Sequence, residues 1–144
     1  MKITDMSDCC FYCERNINKC KKKIKVWKEL QSKKYSAARL RTDRTVPKSH
    51  GIYCIRTVDG EVLYIGYSNS NVRKRLLAHC MGYDKQAIGK YLKGKDLSGF
   101  LLSWVVERKA ECLEEQFIEF AKQQQGVRPK FNMKRGRSCR TTEE

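Results

Sequence analysis

The sequence predicts an α+β domain: a small three-stranded antiparallel sheet flanked by helices, in the order ββααβα, preceded by a basic helical extension. Two β-rich runs, one opening on Gly51-Ile52-Tyr53 and the other closing on Tyr64-Ile65-Gly66, flank Asp59-Gly60, a dipeptide that favours a tight hairpin turn. A third run, 99–107, is dense in apolar and β-forming residues. Glycines at 82, 94 and 126 close three stretches of helical character.

Taken in order, residues 1–20 show little periodicity and read as a leader. Residues 21–40 predict a helix whose Ile24, Trp27, Leu30 and Leu40 form an apolar stripe among lysines. Such a helix either docks on a core with its charged face outward or stays solvated. Residues 41–50, with Pro47, predict a linker. Strands are expected over 51–58 and 61–66, and a loop with helix-capping residues over 67–71. Helices follow over 72–81 and 84–93, then the third strand and a long helix over 109–125. The predicted division is a basic, cysteine-containing leader and helix (1–48), a central domain (49–132) and a basic tail (133–144).

A chain of 144 residues with 40% hydrophobic content can bury one modest core. No apolar run approaches the roughly 20 residues needed to cross a bilayer. The start lacks the basic-then-apolar pattern of a secretory signal. An intracellular location, cytoplasm or nucleus, is expected. The net charge of +15 is unevenly spread: residues 14–48 hold 13 basic and 3 acidic residues, and 128–140 hold 6 basic and none acidic. The stretch 49–127 is nearly balanced, with 11 basic and 9 acidic residues. Cationic flanks on a near-neutral body imply a polyanionic partner, since Lys and Arg displace the counterions of a phosphate backbone. Nucleic acid is expected, DNA ahead of RNA, with Lys21, Lys22, Lys23, Arg73, Lys74, Lys134 and Arg135 as contacts. No lipidation signal supports a membrane partner.

Four of eight cysteines cluster at Cys9, Cys10, Cys13 and Cys20. Cys10-x2-Cys13 has metal-ligand spacing, so a zinc site there stands beside the plainer reading of reduced thiols in a leader. Cys54 and Cys112 fall in a predicted strand and helix, where a free thiol behaves as a small hydrophobe. A disulfide framework is not expected.

Chemistry-bearing residues follow the hairpin. Arg75 and His79 lie four apart on the helix 72–81, one face of which can converge on a phosphate. On the last helix, Leu113, Phe117 and Phe120 share a narrow arc at ~100° per residue, flanked by Ala121 and Ile118, and Glu114 falls inside it. A carboxylate facing a core must be ion-paired or hold a metal. Mg²⁺ or Mn²⁺ suits a lone carboxylate, and Glu115 is the runner-up.

In series, these residues make the chain resemble the GIY-YIG nuclease family, which includes phage homing endonucleases and the nuclease subunit of bacterial nucleotide-excision repair. The resemblance covers residues 49–132. Its ordered parts are the two name tripeptides, a helical arginine, a glutamate three residues before Phe117-Ile118, and Pro129-Lys130-Phe131-Asn132 as the Pro-x-aromatic-Asn ending. It implies phosphodiester hydrolysis by in-line attack of water. Tyr53 would be general base, its phenol lowered from ~10 by nearby cations. Tyr64 would position water or phosphate, and Arg75 and His79 would hold the scissile phosphate. Glu114 would carry the only protein ligand to the metal, and Asn132 would support the site. Two departures stand out. Arg75 lies eleven residues after Tyr64 rather than about ten, with Lys74 in the usual slot. Tyr67 stands where the family often has a small polar residue or lysine.

The expected activity is therefore a metal-dependent endonuclease with weak sequence preference and a possible preference for DNA structure. A non-catalytic binding module of the same fold, or a zinc-binding RNA-associated adaptor, are the alternatives.

Overall fold

A computed structural model describes residues 17–133, with side chains from residue 21 onward. Its secondary structure runs α1 (Ile17–Ser32), β1 (Tyr35–Ser36), β2 (Gly51–Thr57), β3 (Val62–Ser68), α2 (Val72–Met81), α3 (Ala87–Leu92), β4 (Phe100–Val106) and α4 (Ala110–Gln125). The Asp59-Gly60 turn closes through Gly60 N–H donating to the Thr57 carbonyl at 3.0 Å and Thr57 N–H to that of Glu61 at 2.9 Å. Register across the hairpin sets Tyr53 opposite Gly66 and Ile55 opposite Tyr64.

The sheet has four strands in the order β1-β4-β2-β3, all antiparallel. The unforeseen fourth is the two-residue β1, which pairs with Leu101 and Leu102 of β4. It corrects the predicted helix over 21–40: α1 stops at Ser32, because Arg56 of β2 donates to the carbonyls of Gln31 and Lys33 and closes the helix end. Cations belong at helix C-termini, and this one is buried there.

Being central, β2 is covered on both faces, so Ile52, Tyr53, Cys54 and Ile55 are all buried. On one face Ile52, Cys54, Ile65 and Val105 pack under α1 and α4. Trp27 of α1 sits edge-on to Phe117 and Phe120 of α4, with ring centroids 5.2 and 5.7 Å away. The basic helix thus shares the core of the domain. On the other face Tyr53, Ile55, Leu102 and Trp104 pack under α2 and α3. The result is helices, sheet, helices.

The predicted linker has a structural task. Carbonyls of Pro47 and Ser49 accept from Arg73 and Val72 at the start of α2, and the Asn71 side chain caps Lys74 N–H at 2.9 Å. The helix expected over 84–93 shortens to Ala87–Leu92, since Asp84 to Gln86 form a side-chain-closed turn. The open edge of β3 is covered by the segment after α4: Phe131 N–H donates to the Leu63 carbonyl at 3.0 Å. Among the described residues no helix is long and apolar enough to cross a membrane.

Candidate active site

The site is built on the α2 side of the hairpin. Tyr53 and Tyr64 project from paired strands with ring centroids 6.3 Å apart. Gly66 lies against both: a Cβ there would come within 2.6 Å of the Tyr53 hydroxyl and 2.8 Å of the Tyr64 ring. The motif glycine is therefore the space into which the first phenol fits.

His79 of α2 completes the cluster. Its Nε2 lies 2.8 Å from the Tyr53 hydroxyl, and its Nδ1 meets the carboxylate oxygen Oδ2 of Asp84. In the tautomer that carries its proton on Nδ1, toward Asp84, Nε2 is an acceptor and the phenol donates to it. Asp84 is itself held: Gln86 N–H donates to its Oδ1 at 3.2 Å, and Gly89 lies so near that a Cβ would overlap that oxygen. Tyr64 donates to Oε1 of Gln86 at 2.9 Å.

This placement corrects two expectations. His79 has no exposed surface, so it backs Tyr53 rather than touching a phosphate. Burial drives its imidazole below the ordinary value against the pull of Asp84, and the ring is neutral. The Tyr53 phenol is shifted upward, chiefly by burial and then by Tyr64, with Arg75 pulling the other way. The expected lowering is not what the protein's own cations achieve. Tyr64 is pushed up to about 12, by burial first and then by Glu114.

In front of the phenols is a cavity of about 360 Å³, lined by Tyr64, Arg75 and Glu114 with Tyr67, Asn69 and Gln86 around them. Glu114 is half-buried and faces this cleft, not the core. Glu115, the runner-up, is the buried one of the two and pairs with Arg128 Nη1 at 3.6 Å. Arg128, on the segment after α4, reaches back to Glu115 and Glu119, and Gln116 is buried as well, whereas Glu114 is half-buried.

Among the described residues no three His, Cys, Asp or Glu side chains gather to hold a metal. A lone carboxylate in an oxygen-lined cleft still fits a hard divalent cation, which takes one or two carboxylates and completes its shell with water and phosphate oxygens. Asn132 does not reach the cleft. Its amide donates to the Ile65 carbonyl at 2.8 Å and accepts from Ile65 N–H at 2.9 Å, fixing the strand that carries Tyr64.

The expected nucleic-acid contacts are not gathered in one place. Arg73 and Lys74 are on α2. Lys21 and Lys22, exposed, and Lys23, half-buried, are on α1 in the opposite helical layer. Lys134, Arg135, Cys9, Cys10 and Cys13 lie outside the described residues, as does the side chain of Cys20. Cys54 is a free buried thiol, as is Cys80. Cys112 is half-buried and joined in a disulfide, contrary to the expectation for it.

Two partners escaped the sequence reading. Asp84 follows His79 by five residues, and Gln86 by seven, beyond the helix end at Gly82. No periodicity connects a turn residue to a helical histidine. Gly89, with no turn to make, was the one trace of a close approach.

Tyr64, Arg75 and Glu114 thus line one cleft, with Tyr53 fully buried beside Tyr64. The sequence pattern of the GIY-YIG catalytic domain matches residues 49–125, more than half of the chain, and the chain belongs to that family of nucleases. No curated protein and no solved structure matches it.

Proposed function

We propose that the chain is a metal-dependent endonuclease that hydrolyses phosphodiester bonds in DNA. The observation that carries this reading is the Asp84–His79–Tyr53 chain of contacts, which ends behind a cleft holding Arg75 and Glu114. A phenol with a raised pKa is a poor base by itself. It becomes useful when its proton has somewhere to go.

As a water attacks phosphorus at the inner end of the cleft, Tyr53, which has no exposed surface until substrate and water reach it, takes the water's proton while its own passes to Nε2 of His79. Asp84 stabilises the imidazolium that forms, as a carboxylate does behind any catalytic histidine. The P–O bond to the leaving oxygen breaks, and that oxygen is protonated from solvent. Arg75 offers a planar fork to the phosphate oxygens and to the charge that grows on them. Tyr64, fixed on Gln86, orients the phosphate or the water. Glu114 would hold the divalent cation, Mg²⁺ or Mn²⁺, which when bound stabilises charge on the leaving oxygen. Asn132 and Gly66 are positioning residues.

Weak sequence preference is part of the proposal. The basic surfaces on α1 and α2 address phosphates, which position a nucleic acid without reading its bases. The test is cutting of plasmid, branched DNA and RNA with Mg²⁺ or with EDTA, by wild type and Glu114→Ala. Cutting is expected with Mg²⁺ alone, reduced by at least ~10²-fold in Glu114→Ala with binding retained. Equal cutting by the two proteins removes Glu114 from the site. Cutting confined to one recognition sequence removes the weak preference, and no cutting of any substrate leaves a binding module.

A further inference from the structure

The other face of α2 carries a second cavity, about 700 Å³, that the chemistry above does not use. Its charged lining is Arg41, Arg44, Lys48, Arg73 and Lys74, and its one carboxylate is Asp43. That carboxylate is already engaged by Tyr35, by Arg39 at 2.8 Å and by the Thr45 N–H at 3.1 Å, and these contacts hold it near 2, Tyr35 foremost. Arg41, Arg44, Lys48 and Lys74 are exposed and make no ion pair with a described residue. Arg73 donates one nitrogen to the Leu40 carbonyl at 2.7 Å, while its buried Nη1 has no acceptor. Uncompensated cations crowded into one groove repel each other, a cost that a polyanion removes.

At the end of the groove stands Tyr83, 79% exposed. It follows Gly82, the left-handed cap of α2, and its N–H closes on the Ala78 carbonyl at 2.9 Å. The residue after such a cap ordinarily folds its apolar side chain back onto the helix. Here the ring is turned outward beside the cations. A flat aromatic face next to a row of phosphate binders suits an unpaired base. A duplex hides its base faces, whereas a single strand offers them.

From this placement we infer that the groove binds an unpaired stretch of the nucleic acid whose backbone is cut on the opposite face of α2. The phosphates lie on Arg41, Arg44, Lys48, Arg73 and Lys74, and one base stacks on Tyr83. The inference rests on the nuclease reading and gives it a substrate class: nucleic acid with single-stranded nucleotides beside the cleavage site, such as a flap, an overhang or a junction.

The test is binding of a fluorescent oligothymidine of about a dozen nucleotides, and of a duplex of the same length, to the full chain in EDTA over a salt series. Tyr83→Ala is expected to weaken single-strand binding about tenfold and leave duplex binding unchanged. Replacing Arg41, Arg44 and Lys48 with alanine is expected to flatten the single-strand salt slope by about 2. Polyglutamate should not compete. Unchanged single-strand affinity in Tyr83→Ala, an equal loss on the duplex, or competition by polyglutamate each overturns the inference, the last in favour of an acidic protein partner. Cutting of a flapped duplex in Mg²⁺ is scored in parallel. Wild-type cutting without the binding pattern rejects the groove alone, and the binding pattern without cutting rejects the nuclease reading alone.

Discussion

The two faces of α2 are built on opposite terms. Toward the sheet, Arg75 and His79 face specific partners: the Asp84 carboxylate lies behind the neutral imidazole, and Glu114 lines the same cleft as the guanidinium. Away from it, Arg73 and Lys74 join three more cations around a single carboxylate that is committed elsewhere. The enclosed face fixes atoms to fractions of an ångström, which transfer of a proton demands. On the open face, charge and one exposed ring suffice for a flexible polymer. One helix can serve both because residues at i and i+4 share a side while those at i+1 and i+2 turn away.

Substitutions should separate the faces, beginning with the largest effect. His79→Gln removes the proton's destination, and cutting should fall ~10²- to 10⁴-fold while nucleic-acid affinity stays near wild type. Affinity falling in step with rate would mean that His79 acts through the fold. Gly66→Ala puts a methyl where the Tyr53 hydroxyl lies, so it should cost ~1–3 kcal/mol of stability. Its surviving folded fraction should cut poorly, measured by denaturant melts beside single-turnover assays. Asp84→Asn, which can donate to Nδ1 and so set the opposite tautomer, should slow cutting by at least ~10-fold with a changed pH profile. A uniform loss at all pH values would argue for simple loosening.

A smaller effect reads the buried imidazole directly. An unfolded histidine takes a proton below ~6.5, whereas burial holds folded His79 neutral to lower pH. Within that window protons favour the unfolded chain. The stability contribution is complete above it and is lost as pH falls. Melting temperature should therefore decline on acidification below that value, less steeply in His79→Gln than in wild type. Groove substitutions should leave this pH dependence unchanged.

Much of the scaffold was legible because local signals agreed. Asp59-Gly60 fixed the hairpin, Asn71 and Gly82 bracketed α2, and Gly126 ended α4, each through chemistry confined to a few residues. What escaped depended on contacts between distant segments. The end of α1 is set by Arg56 reaching from a strand, and β1 exists because β4 offers an edge. The Glu115 pairing with Arg128 comes from a chain segment beyond the helix, which no wheel can display. The cleft residues Tyr64 and Arg75, and the buried Tyr53 beside them, came from motif order. The relay through Asp84 and the outward turn of Tyr83 came from tertiary placement alone.

The most direct measurement is single-turnover cutting by Tyr53→Phe in Mg²⁺, with nucleic-acid affinity measured on the same preparation. Phenylalanine keeps the ring that packs against Tyr64 and His79 and removes only the oxygen that meets His79 Nε2. The expected result is a folded protein destabilised by no more than ~1–3 kcal/mol, from the unpaired His79 Nε2, and wild-type affinity with cutting reduced at least ~10²-fold. Cutting at the wild-type rate would contradict the hydrolytic role of this phenol and of the relay behind it.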